Sequence, residues 1–209
     1  MGSLRLAILE ILSLAGPVPR LLQELHRRHP GLHLKLVGMP SLAQYEALQA
    51  RRIDAGFTAH RLFDAPDIQS LPVSDLPILA MVPVRHPLAG RPFLQLKDLE
   101  GLDFIWPEEE ARTSYWGLFR EAFEGVAWQP RVVQEASSWV ATVGLVAAGY
   151  GCALGLAMPG MPGAEGVVQI PVRDLDLRFR VELVWHRDNP SPALHRFLDL
   201  ARRVFAAEA

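Results

Sequence analysis

Apolar residues in the first third of the chain fall into two alternating patterns. Leu4 to Leu9 is an apolar run of strand length, and Pro17 to His29 puts Val18, Leu21, Leu22 and Leu25 on one side of a helix that Pro30-Gly31 stops. Leu32 to Val37 reads as a second strand. Ser41, with Gln44 three residues on, has the spacing of a capping box and opens a helix running to about Arg51. Ile53 to Thr58 is a third strand. Strand, helix, strand, helix, strand at this spacing predicts parallel pairing with right-handed crossovers. Ligands of such sheets gather beyond the carboxyl ends of the strands.

A second series follows. Ile78 to Pro83 is an apolar strand, Arg85 to Pro92 a loop, and Asp103 to Trp106 a strand. A helix around Tyr115 to Phe123 and a strand from Arg131 to Gln134 come next. Ser137 to Leu156 then reads as a capped helix, a glycine stop and a buried strand. Ser137 or Ser138 can accept the first free N–H groups, and Val140, Val143, Leu145 and Val146 supply the packed positions. Gly149 suits the left-handed residue that ends a helix, and Gly151 lets the strand leave at a tight angle. Met158-Pro-Gly-Met-Pro-Gly excludes regular structure. Val167 to Val172 and Phe179 to Trp185 read as strands. Pro192 to Phe205 is a closing helix with Leu194, Phe197, Leu198, Ala201 and Phe205 as its inner stripe.

The 209 residues suffice for one large domain or two small lobes with a buried core. With 21 Lys+Arg against 23 Asp+Glu, the net charge of -2 argues against nucleic-acid binding by this segment, which would need cations to neutralise phosphates. The pairs Arg27-Arg28, Arg51-Arg52 and Arg202-Arg203 read as solvated helix faces. No apolar run approaches the roughly 20 residues of a membrane helix, and the N-terminus lacks the parts of a secretion signal. Cys152 is the lone cysteine, so no internal disulfide forms, which fits a cytoplasmic protein. It sits in an apolar strand and reads as packing.

Several segments match one family in order. Leu145-Val-Ala-Ala-Gly-Tyr-Gly-Cys-Ala-Leu resembles the "LVAAGxGIAL" signature of the effector-binding domains of LysR-type transcriptional regulators. Leu25-His-Arg-Arg-His-Pro-Gly-Leu-His-Leu, Leu48-Gln-Ala-Arg-Arg-Ile-Asp-Ala-Gly-Phe, the strand and turn from Leu76 to Ala89, and Val184 to Leu198 resemble other pieces of the same domain. The resemblance implies an α/β fold: two Rossmann-like lobes of the type 2 periplasmic-binding-protein fold, joined by two crossover strands, with a small-molecule site in the cleft. Residues 1–81 and 171–209 would form lobe I and residues 82–170 lobe II. Family members carry an N-terminal winged helix-turn-helix. Here Met1-Gly2-Ser3 reads as an artificial start, with the DNA-binding half removed. Gly155-Leu156-Ala157 stands where a proline often follows the signature strand.

The candidate ligand contacts sit at strand-to-helix loops. Ser13 can cap the first helix or, as a hydroxyl near this point does in the family, meet the ligand. Ser41 is expected to cap the second helix and can bind a ligand oxygen as well. After the third strand, Arg61 offers a planar fork for a carboxylate and His60 a donor near neutral pH. Some members that sense aromatic-degradation intermediates carry an arginine where this chain has Ala59. Trp106 can stack on a ring, while Arg112, Thr113 and Ser114 offer charge and hydroxyls before a helix, and Ser137 does so at the next. Glu108 to Glu110 read as a solvated loop.

Enzyme signatures fail. Gly149-x-Gly-x-x-x-Gly155 has the wrong last spacing and follows a helix, and Pro30-Gly31 breaks the register that His29 and His33 would need for a metal. HExxH, GxSxG, CxxC and P-loop motifs are missing. The expectation is a non-catalytic, cofactor-free and metal-free ligand-sensing domain. Its partners would be a small carboxylate and a second copy of itself, with a tetramer in the full-length protein and DNA met only through the missing segment. The alternative is a type 2 solute-binding protein that delivers a small anion to a transporter.

Overall fold

The computed structural model describes residues 2–9, 12, 17–59, 65–108, 128–157 and 165–206. The chain divides into two compact units, residues 1–75 with 180–209, and residues 76–179. The expected lobe boundaries, after 81 and before 171, lie a few residues inside the second unit.

Unit 1 is built on the strands β1 (Ser3–Ile8), β2 (His33–Gly38) and β3 (Ala55–Ala59). β1 pairs in parallel with both others, from Ser3↔His33 to Ile8↔Gly38 and from Leu6↔Ala55 to Ile8↔Phe57, as the alternating pattern predicted. β4 (Ile68–Pro83) carries the chain into unit 2, and β9 (Arg178–His186) brings it back to pair antiparallel with β3. The sequence placed the start of β4 at Ile78. Pro72 and Pro77 mask its first ten residues, because proline is a poor strand signal.

Three helices cover the two faces of this sheet. α1 (Pro17–Arg28) packs beside the closing helix, here α4 (Pro192–Ala206); α4 buries its whole predicted stripe, while α1 buries Val18, Leu21 and Leu25 and leaves Leu22 half-buried. Ser191 Oγ accepts from Leu194 N and Pro192 fills the first helical position. Phe197 meets Phe57 edge to face with ring centroids 6.4 Å apart. On the other face α2 (Ser41–Gln49) buries Tyr45, Ala47 and Leu48 against Ala7, Ile53, Ile68 and Val184. α2 ends two residues earlier than expected, since Arg51 turns left-handed at φ 56. β3 starts late because Asp54 is held just before it: its N–H donates to Arg5 O, and its carboxylate accepts from Arg5 N, Nε and Nη2.

In unit 2, the second half of β4 pairs antiparallel with β7 (Ala153–Leu156) and β8 (Val167–Pro171). β5 (Asp103–Pro107) and β6 (Arg131–Ala136) are parallel. α3 (Trp139–Ala147) buries Val143 and Val146 with Met81, Ile105, Ala136 and Ala153. Leu145 is half-buried and packs against this cluster, whereas Val140 is 72% exposed, so one of the four predicted packing positions faces outward. Gly149 takes φ +84 and stops α3 as expected. Cys152 is buried at the bridge to Phe104, and burial, with the nearby Asp103 charge, pushes its thiol up to about 11. It is therefore a packed thiol and not a thiolate at neutral pH.

Candidate functional site

β1 ends its pairing with β3 at Ile8↔Phe57, but the edge of β3 continues. Side chains of α2 take over the next rung. Ser41 Oγ accepts from Ala59 N–H at 3.1 Å, and Gln44 Nε2 donates to Phe57 O at 3.0 Å and to Met39 O at 2.8 Å. Residues 57 and 59 point their backbone groups to one edge of the strand, and positions 41 and 44 lie on one helix face, so the two pairs match. Gly56 makes the approach possible, because a Cβ there would overlap Gln44 Oε1. Met39 N–H in turn donates to Ile8 O at 3.0 Å, which ties the β2–α2 loop to the end of β1.

This corrects the sequence reading of Ser41 and Gln44. The N-cap of α2 is Pro40, which has no side-chain acceptor, and Ser41 is the first helical residue. The capping-box pattern is present in sequence, yet both side chains bond to strand β3 and the adjoining loop, where buried backbone groups need partners. Ser41 is fully buried and accepts one hydrogen bond from β3, so its own O–H proton is not used in that bond. The helix N-terminus beside it, which gets no side-chain bond from its cap residue, carries roughly half a positive charge. A buried hydroxyl next to such a terminus can bind an anionic oxygen.

Unit 2 has its own strand-to-helix edge. Trp106 pairs in register with Glu135 and is half-buried, and Ser137 follows the last residue of β6. Trp106 and Ser137 thus lie at the same, carboxyl-terminal end of the β5–β6 pair. Ser138, not Ser137, is the cap of α3: its Oγ accepts from Ala141 N at 3.2 Å, while Ser137 is exposed one residue upstream. Ser13, His60, Arg61, Arg112, Thr113 and Ser114 lie outside the described residues, as do the helix expected around 115–123 and the 158–163 segment.

Three polar side chains escaped the sequence reading as site candidates. Thr58 lies in β3 as expected, and Ala59 ends that strand instead of opening the loop after it. Gln44, a cap partner by spacing, is a clamp on two backbone carbonyls. Glu182 faces Thr58 across the β3–β9 pair. Glu182 is the one acidic residue between Phe179 and Trp185, a stretch that also carries Arg180, and that acid among apolar neighbours is the signal the sequence offered.

Comparison with known proteins gives a consistent result. Residues 1–206 match the family model for the LysR substrate binding domain. The Hca operon transcriptional activator HcaR of Escherichia coli is 25% identical over 193 residues, covering 91% of this chain and 64% of the relative. The transcriptional regulator CatR of Pseudomonas putida is 32% identical over 183 residues, covering 88% of this chain and 62% of the relative. The chain thus spans less than two thirds of the length of these relatives. Among solved structures, the effector binding domain of BenM with benzoate superposes with a TM-score of 0.85 at 24% identity, covering 99% of this chain and 93% of that one. The effector binding domain of QuiR with shikimate gives 0.84 at 21%, covering 99% and 98%. These two likenesses are of fold, the α/β type 2 periplasmic-binding-protein fold anticipated from the sequence.

Proposed function

The chain belongs to the LysR substrate binding domain family, and on that premise we propose that it is the ligand-sensing part of a LysR-type transcriptional regulator. It is non-catalytic, works in the cytoplasm, and binds a small carboxylate at the start of α2. One observation carries the ligand class. Ser41 is a buried hydroxyl clamped by Ala59 N–H at a helix N-terminus whose cap residue, Pro40, has no side-chain acceptor. Donors and a partial positive charge converge there, and an anionic oxygen complements both.

Trp106 and Ser137 are the proposed further contacts in unit 2. Ser13, His60, Arg61, Arg112, Thr113 and Ser114 are proposed from sequence, with the two arginines as carboxylate partners. An aromatic or unsaturated acid suits the flat wall of Trp106. The protein acts as a dimer through α1 and α3, which leaves Val140 open on its surface, and as a tetramer when full length. DNA is met only by a segment outside this chain.

A thermal-shift screen of small carboxylates, neutral compounds and cations tests the ligand class on wild type and Arg112→Ala. Carboxylates are expected to raise the melting temperature, less so in the variant. A screen in which only neutral or cationic compounds stabilise the protein contradicts the reading. Light scattering is expected to give a dimer mass at micromolar concentration.

A further inference from the structure

Several polar atoms of unit 1, Gln44 Oε1 among them, are buried without a hydrogen-bond partner among the described residues, and two of them sit on paired strands. Thr58 is fully buried in β3, and its Oγ1 has no hydrogen-bond partner among the described residues. Glu182 in β9 carries a carboxylate oxygen, Oε2, that is equally shut off from solvent and equally unpartnered there. The two residues are direct cross-strand neighbours in the antiparallel β3–β9 pair. Their side chains rise from one face of the sheet with Cβ atoms about 4.5–5.5 Å apart.

That face is the one α2 covers. Gly56, two residues before Thr58, lies under Gln44, and Val184, two residues after Glu182, packs with Tyr45 and Leu48. Thr58 also immediately precedes Ala59, the donor to Ser41 Oγ. The cluster therefore adjoins the start of α2. Thr58 and Glu182 do not bond each other, although a threonine hydroxyl is able to donate. Native folds satisfy nearly all their buried polar groups, and the exceptions mark places where a ligand, an ion or a water completes the set.

We propose that Thr58 Oγ1 and Glu182 Oε2 form a subsite beside Ser41 that takes a hydroxyl group, so that the ligand is a hydroxylated carboxylic acid. The inference rests on the carboxylate reading above and divides the ligand between two kinds of partner. Ser41 O–H and the opening N–H groups of α2 are donors and meet the acid. The Glu182 carboxylate oxygen is an acceptor and is a poor neighbour for a second carboxylate, so it faces a donor. One hydroxyl satisfies both orphans: its proton goes to Glu182 Oε2, and its oxygen accepts the Thr58 proton. A ligand without that hydroxyl leaves both buried groups unpaired, which is how a polar site rejects an unsubstituted analogue.

Calorimetry on this chain with benzoate, 3-hydroxybenzoate and shikimate tests the proposal, since these acids carry none, one and three hydroxyls. At least one hydroxylated acid is expected to bind wild type about tenfold more tightly than benzoate, the scale of a hydrogen bond to a charged group. That preference is expected to collapse in Thr58→Val and in Glu182→Gln. Benzoate binding as tightly as both hydroxylated acids overturns the subsite and leaves the carboxylate reading standing. A preference that survives in both variants also overturns it. A ligand-free arm decides independently of the probes, and decides alone if none of them binds. Removing an orphaned hydroxyl relieves a buried cost, so Thr58→Val is expected to raise the melting temperature of the free protein. A lowered melting temperature marks Thr58 as structurally bonded and overturns the subsite.

Discussion

The helices α2 and α3 repeat one layout with opposite chemistry. Each follows a parallel strand of its own unit, each has a serine at its start, and each lays a side chain over a glycine of a neighbouring strand. In unit 1 the serine is buried and spent on the sheet, where Ser41 Oγ holds Ala59 N–H and polar Gln44 lies over Gly56. In unit 2 the serine is exposed and spent on its own helix, where Ser138 caps Ala141 N and apolar Trp139 lies over Gly155. A helix docked by an indole lays an apolar ring on its strand, and its serine cap is separable from the sheet. A helix docked by an amide and a hydroxyl is fused to its strand by hydrogen bonds. The second arrangement buries more polar groups, and each of them needs a partner.

The largest effect is expected where that fusion is broken. Gly56→Ala pushes the Gln44 carboxamide off its two carbonyls, and a destabilisation of about 2–4 kcal/mol is expected from overpacking plus lost buried hydrogen bonds. In a Gln44→Ala background the same change is expected to cost much less, because the clash is gone. Denaturant unfolding of both single variants and the double reads this directly. Strictly additive costs would mean that Gln44 does not depend on Gly56.

A smaller effect concerns how β3 is anchored. Burial alone would push the Asp54 carboxyl up, but hydrogen bonds from Arg5 and the side chain of Asn189 outweigh it and hold the group below the usual carboxylate range. A carboxyl lowered in the folded state stabilises fully above its unfolded value of about 3.9, and this stabilisation is lost as pH falls through the folded value. Asp54→Asn is expected to lose about 1.5–3 kcal/mol at neutral pH. Its stability is also expected to vary less than that of wild type below about pH 4. Equal acid sensitivity of the two proteins would remove Asp54 from the account.

The smallest effect is a gain. Arg51 is left-handed at φ 56 directly after α2, a conformation that costs a side-chain-bearing residue and not glycine. Arg51→Gly is expected to stabilise by about 0.5–1 kcal/mol, read as a higher melting temperature.

Much of this was legible in the sequence for a physical reason. Periodicity reports burial, and β1, α1, α2, β3 and the α4 stripe carry buried apolar positions, while β2 was legible from alternation although its Leu34 and Val37 are only half-buried. Gly149 announced the end of α3 because only glycine takes its backbone angle cheaply. Ser41 was found as a residue and mistaken in role: local spacing encodes a cap, whereas its real partner, Ala59, is 18 residues away. Val140 was misassigned because one apolar helix face can serve an inner core or an outer surface, and hydropathy does not separate them. The start of β4 was hidden by its prolines. Long-range hydrogen bonds and the choice of which face is covered are decided by tertiary packing, beyond the reach of a window along the chain.

The most direct test sets the two serines against each other. Titration calorimetry of a stabilising carboxylate is run against wild type, Ser41→Ala and Ser138→Ala. Loss of the Ser41 hydroxyl is expected to weaken binding by about 1.5–3 kcal/mol. Loss of the Ser138 cap is expected to cost about 1 kcal/mol of stability and to leave the affinity unchanged. Equal affinities for wild type and Ser41→Ala, or an equal loss in both variants, would contradict the placement of the ligand at the start of α2.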